Sequence, residues 1–103
     1  MSQYKRGRNF EYRVKKYLES LGFDVWRLAG SKPVDLQAFD EETIIVVECK
    51  GHRIGEARLK EIYNDLKRKA KNRYMISLIF YKKKGGRLAV YPEKVASIVF
   101  GKK

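Results

Sequence analysis

The sequence predicts an α/β fold: a central mixed five-stranded sheet flanked by helices, its elements in the order α-β-β-β-α-β-β. Three observations carry this. Apolar residues recur at helical spacing in two separate stretches, Phe10 to Leu21 and Leu59 to Ala70. The run from Thr43 to Lys50 places Ile44 and Val46 on one face and Ile45 and Val47 on the other, and a strand apolar on both faces is normally central and covered by helices on both sides. Helical and extended stretches alternate along the chain, which suggests helices packed on a mixed sheet.

In the first helix, over 9–21, Phe10, Val14, Tyr17, Leu18 and Leu21 form the stripe, and Gly22 stops it. Phe23 to Leu28 reads as a strand, and Ala29 to Pro33 as a loop. Val34 to Phe39 is a second strand, followed by the polar turn Asp40-Glu41-Glu42 and the strand Thr43 to Lys50. After a basic loop, Gly51 to Gly55, the second helix runs from Glu56 to about Lys71. Tyr74 to Tyr81 and Arg87 to Tyr91 are the last strands, separated by a turn over Lys82 to Gly86. Pro92 suits the first turn of a short helix containing Val95 and Ala96, and Ile98-Val99-Phe100 closes the apolar sequence.

With 103 residues the chain is expected to be a single domain over 1–103. Twenty-four Lys and Arg against twelve Asp and Glu leave +12. Such an excess points to a polyanion: a nucleic acid first, an anionic membrane surface as the competing target, a merely solvated surface as the bland alternative. Cys49 is the single cysteine, so no disulfide can form within the chain. The sequence shows no signal peptide and no apolar run of membrane-spanning length. A soluble, cytoplasmic protein without a membrane partner is expected, lying near the nucleoid if the polyanion is DNA.

The chemistry gathers at the end of the third strand. Glu48 and Lys50 lie two apart, so their side chains share a face. If the turn sets Phe39 opposite Ile44, Gln37 falls opposite Val46 and Asp35 opposite Glu48, about 5 Å apart. A slip of one residue would send Asp35 to the other face. Two carboxylates so close require a proton or a cation between them. Oxygen ligands select a hard ion, Mg²⁺ with Mn²⁺ as substitute. Such an ion polarises a phosphate and acidifies a water, while Lys50 can orient or deprotonate the attacking water or neutralise the developing charge. These are the parts of phosphodiester hydrolysis. Taken singly, each residue has a simpler reading: a strand-end ion pair for Glu48 and Lys50, a turn residue for Asp35.

Glu11 lies at the edge of the first helix's apolar arc, between core and solvent. Two readings stay open: a metal ligand reaching the charged end of the sheet, or a surface residue paired with Lys15 one turn on.

An acidic residue after Pro33-Val34, at Asp35, followed by Glu48-Cys49-Lys50 resembles the PD-(D/E)XK nuclease superfamily. A wider set of residues resembles the archaeal Holliday junction resolvases over about the first half of the chain. It comprises Arg6-Gly7, Glu11, Leu21-Gly22-Phe23, Val25-Trp26-Arg27, Ala29-Gly30-Ser31-Lys32, Val34-Asp35-Leu36 and Val47 to Lys50. The resemblance implies a restriction-endonuclease-like fold with Glu11, Asp35, Glu48 and the carbonyl of Cys49 as metal ligands. It gives Lys50 to the attacking water, Ser31 to a loop assisting cleavage, and Arg27 to DNA or to the geometry of the site. It also implies a homodimer that nicks two opposed strands of a four-way junction, as symmetric cuts need symmetric sites. The family usually has Arg directly after the helix Glu. Here that position is Tyr12, so Arg8 or Arg13 would take the phosphate contact.

The reading is thus a metal-dependent, structure-selective DNA endonuclease. The alternatives are a nicking, flap or restriction-type nuclease of the same superfamily, and a basic nucleic-acid-binding module without catalysis. Lys5, Arg6, Arg8, Lys32, Arg53, Arg58 and Lys60 flank the site in sequence and are candidates for phosphate contacts. His52 is read as a phosphate-facing or solvated loop residue. Cys49 alternates to the face opposite Glu48 and should pack in the core. Trp26 and the seven Tyr could stack on bases, although their places in strands and helical stripes favour core packing. Val95, Ile98, Val99 and Phe100 are the apolar candidates for a dimer interface.

Overall fold

A computed structural model describes residues 3–28, 34–70 and 74–101, with the side chains of the first helix from Asn9 onward. The elements are α1 (Gln3–Ser20), β1 (Asp24–Arg27), β2 (Leu36–Phe39), β3 (Ile44–Lys50), α2 (Glu56–Lys69), β4 (Ile76–Lys82), β5 (Leu88–Tyr91) and α3 (Glu93–Phe100). The five strands form one sheet in the order β1-β2-β3-β4-β5. Every neighbouring pair is antiparallel except β3–β4, which is parallel because α2 carries the chain back between them. The mixed five-stranded sheet flanked by helices is therefore the architecture that the sequence predicts, and β3 is its central strand.

Three boundaries differ for identifiable reasons. Helix α1 starts at Gln3 rather than at residue 9, because its polar first turns propagate the helix without contributing to the apolar stripe. The strands β1 and β2 are shorter than their apolar runs, since Phe23 and Val34 are buried beyond the ends of the ladder. The tail is one continuous helix, α3, with Pro92 at its N-cap. Its Ala96 and Val99 enter the same core as Phe10, Val14 and Leu18 of α1.

The sheet separates two apolar layers. On one side Leu36, Ala38, Ile45, Val47, Leu78 and Phe80 meet α1 and α3. On the other, Val46 and Ile79 meet Leu59 and Leu66 of α2. Aromatic edges lock the first layer: Tyr17 lies 6.0 Å from both Phe80 and Phe100, and Phe23 lies 6.2 Å from Phe100, all near perpendicular or steeply tilted. This packing corrects the interface expected at the tail. Val99 is buried, and Val95 and Phe100 pack against the core, leaving Ile98, 66% exposed, as the outward residue of that group.

The end of α1 is set by a glycine turn. Gly22 has φ +97, Phe23 N–H donates to Leu18 C=O and Gly22 N–H to Glu19 C=O, closing the helix and turning the chain into β1. A second glycine positions α1 against the business end of β3. A Cβ at Gly51 would lie 3.1 Å from Phe10 Cβ and 3.3 Å from its Cγ. Gly51→Ala is expected to push back the turn of α1 that carries Phe10 and Glu11, destabilising the fold by about 1–3 kcal/mol in urea unfolding, as overpacked cores do.

Candidate active site

Glu48 and Lys50 alternate with buried Val47 and point to the α2 side of the sheet, as the period of two requires. There they close one wall of a cavity of about 150 Å³ whose opposite wall is α2, through Arg58, Glu61, Asp65 and Lys69. Lys50 Nζ stands 3.3 Å from Glu48 Oε2, with side-chain exposures of 33% and 20%. The simpler reading, a strand-end ion pair, is thus true as far as it goes. It does not account for the charge state of Glu48. Burial raises its pKa, the neighbouring Asp35 raises it further, and Lys50 only partly offsets them.

Asp35 reaches this point by leaving the ladder. The expected register holds from Phe39↔Ile44 through Gln37↔Val46 to Leu36↔Val47. One more step would set Asp35 squarely opposite Glu48. Instead Asp35 N–H donates to Val47 C=O at 3.0 Å, and Leu28 N–H donates to Asp35 C=O at 2.9 Å. The bend turns the carboxylate onto the backbone of β3, where Oδ2 accepts Cys49 N–H at 2.7 Å. Within a strand a residue's N–H and C=O point to the same edge, so the Cys49 carbonyl is directed toward Asp35 as well. The Cys49 thiol lies on the opposite face against the α1 core, and burial pushes its pKa up. Asp35, Glu48 and this carbonyl offer oxygen donors, the kind that a hard cation takes.

Of the two readings of Glu11 left open by the sequence, the pairing with Lys15 is not the one formed. Lys15 pairs with Glu19 at 2.8 Å, while Glu11 Oε1 accepts Arg27 Nε at 2.9 Å. Both residues sit on the α1 side of the sheet, whereas Glu48 and Lys50 sit on the α2 side. Among the described residues no three acidic, histidine or cysteine side chains converge tightly enough to hold an ion together. Glu11 stands at the right end of the sheet, close enough for its charge to act on Cys49, and is fastened by Arg27. On the nuclease reading of the sequence, with Glu11 as a ligand, Arg27→Ala is expected to lower single-turnover cleavage by about 10-fold, with Arg27→Lys recovering part of it.

The other candidates scatter. Arg13 Nη1 donates to Gly86 C=O at 2.7 Å, tying α1 to the β4–β5 turn. Arg58 pairs with Glu61 at 3.1 Å at the rim of the cavity. His52, Arg53 and Lys60 are exposed, with His52 Nδ1 3.1 Å from Arg53 O. The side chains of Lys5, Arg6 and Arg8 lie outside the described residues, as do Ser31 and Lys32. Asp65 and Lys69, joined at 2.9 Å, were not singled out by the sequence. Their signal was present: Glu61, Asp65 and Lys69 recur every four residues and so share one face of α2. Trp26 is another correction, being 64% exposed instead of packed in the core.

A profile of the family described as archaeal Holliday junction resolvase (hjc) matches residues 2–95. The Crossover junction endodeoxyribonuclease Hjc of Methanocaldococcus jannaschii is 46% identical over 48 residues, covering 47% of this chain; the match spans only 36% of that relative's length. The structure of Archaeoglobus fulgidus Hjc, a Holliday junction resolvase, superposes with a TM-score of 0.66 over 84% of this chain and 72% of that one. At 20% identity that likeness speaks for the fold.

Proposed function

Because the chain belongs to the archaeal Holliday junction resolvase family, we propose that it is a metal-dependent endodeoxyribonuclease that resolves four-way DNA junctions by paired, symmetric phosphodiester cleavage. A single nuclease domain over residues 1–103, acting as a homodimer, is part of the proposal. The observation that carries it is Asp35 fastened to Cys49 N–H at 2.7 Å, next to Glu48, whose carboxylate pairs with Lys50 at 3.3 Å at the exit of the central strand. Two carboxylates held close together repel unless a cation joins them, so the site is built at a cost that an ion-binding role explains.

Asp35, Glu48 and the Cys49 carbonyl would hold a divalent ion, with Mg²⁺ the proposed occupant and Mn²⁺ a substitute. When bound, it supplies Lewis acidity toward a phosphate oxygen and lowers the pKa of a water. The remaining roles belong to the chain. Cys49 N–H fixes the Asp35 carboxylate. Arg27 holds Glu11 at the edge of the site, where its carboxylate would be a further donor toward the ion. Lys50, steadied by Glu48, presents its ammonium to the attacking water and to the charge that grows on the phosphate. Ser31 is proposed to assist cleavage. The +12 surface, including Arg53, Arg58 and Lys60, engages the backbone of the DNA.

Labelled four-way junction, duplex and single strand, incubated with and without Mg²⁺, test this reading. Paired symmetric nicks confined to the junction are expected. Nicks in duplex or flap substrates alone would move the substrate to another member of the superfamily. Tight binding with no cleavage under any divalent ion would reduce the protein to a binding module.

A further inference from the structure

Trp26 presents its indole to solvent at the edge of the sheet. It is 64% exposed on β1, an edge strand of the sheet. Its neighbour Val25 is buried in the α1 layer, so Trp26 points to the opposite face, the one that carries Glu48 and Lys50. Its cross-strand partner is Gln37, and Gln37 in turn pairs with Val46, two residues before Glu48. Two strand spacings and two residues of rise place Trp26 about 12 Å from Glu48 on the same surface, or roughly three to four nucleotide steps along a strand. The ring is held upright by an edge-to-face contact with Phe39, 5.7 Å between centroids at 84°. Arg27, next in sequence, is fastened to Glu11. A large, rigid, outward aromatic on the cutting face of a +12 protein has the attributes of a stacking platform.

We propose that Trp26, braced by Phe39 on the face that carries Glu48 and Lys50, stacks on a nucleobase of the DNA strand presented to the site. The proposal rests on the nuclease reading and adds to it a contact with the bases, distinct from the phosphate contacts of the basic residues. A base at a branch point, where stacking is interrupted, is the favoured occupant. A second copy of this chain covering the ring is the competing one.

The chain contains one tryptophan, so its fluorescence reports this residue alone. Titration of the whole protein with four-way junction in the absence of divalent ions should quench the emission in step with DNA anisotropy. In the free protein the emission should be that of a solvated indole, open to a soluble quencher and independent of protein concentration. Trp26→Ala should weaken junction affinity by about 5- to 150-fold, the range of base–aromatic stacking, with Trp26→Phe retaining most of it. Junction binding with unchanged emission, and equal affinity for Trp26→Ala, would overturn the proposal and leave the nuclease reading intact. A blue-shifted, quencher-resistant emission that appears with rising protein concentration before DNA is added would assign the ring to a protein interface and overturn it too. No DNA binding by anisotropy overturns both readings.

Discussion

Asp35→Asn is expected to reduce cleavage by at least about 10²–10³-fold while leaving the fold and the junction affinity close to those of the parent, as loss of an electrostatic stabiliser at a reaction centre does. The amide is nearly isosteric with the carboxylate, and its oxygen can still accept Cys49 N–H, the bond that ties Asp35 to β3 at 2.7 Å. What it loses is the charge. Asp35→Ala makes a different experiment. It removes the acceptor as well and leaves the Cys49 N–H without its partner, a cost of about 1–3 kcal/mol. The alanine variant should therefore unfold earlier in urea as well as fail to cut, whereas the asparagine variant should only fail to cut. Isothermal titration with Mn²⁺ gives an independent readout: the parent should bind the ion and both variants should bind it at least about 10-fold more weakly. Retained cleavage by Asp35→Asn would remove Asp35 from the site and reduce it to a turn residue after Val34.

The centre of the molecule was legible in the sequence because β3 states its own environment. Ile44 to Val47 are apolar on both faces, which requires a layer on each side, and the structure supplies α1 with α3 on one and α2 on the other. The register from Phe39↔Ile44 to Leu36↔Val47 follows from the short Asp40–Glu42 turn, whose Asp40 carboxylate accepts the N–H groups of Glu42 and Thr43. The ladder could not be extended by the same logic to Asp35. Alternation gives the face of a residue only while the strand stays regular, and the bend at Asp35 is decided by bonds to Leu28 and Val47. Periodicity likewise places Glu11 on a helix edge without naming its partner, because Arg27 is adjacent only once β1 has been laid beside α1. Trp26 shows the same limit. Alternation separates it from Val25 but does not say that α2 covers only part of the second face, the part around Val46 and Ile79.

Glu48→Gln is expected to change stability and activity in opposite directions. Burial first, and then Asp35, raise the Glu48 pKa above the ordinary carboxylate value. Folding therefore disfavours the ionised form, so Glu48 is least costly in acid, and its contribution to stability is lost as pH rises through the raised folded-state value. In the ion-free protein the ionised carboxylate is disfavoured by burial and by Asp35, and Lys50, at 3.3 Å, only partly compensates. The amide removes that charge and keeps the shape. A stabilisation on the order of 1 kcal/mol is expected, the usual scale for relieving a conflict kept for function. That corresponds to a rise in Tm of about 4–8 °C for a domain of this size. The difference between variant and parent should shrink as pH falls toward the ordinary carboxylate range, since the parent then discharges itself, and saturating Mg²⁺ should stabilise the parent and not the variant. Cleavage should fall by at least about 10²-fold, because both the charge on the donor set and the anchor of Lys50 are gone. A Glu48→Gln protein less stable than its parent at neutral pH would show that the Glu48–Lys50 pair holds the fold together, and would remove the argument that this end of the sheet is arranged around a cation.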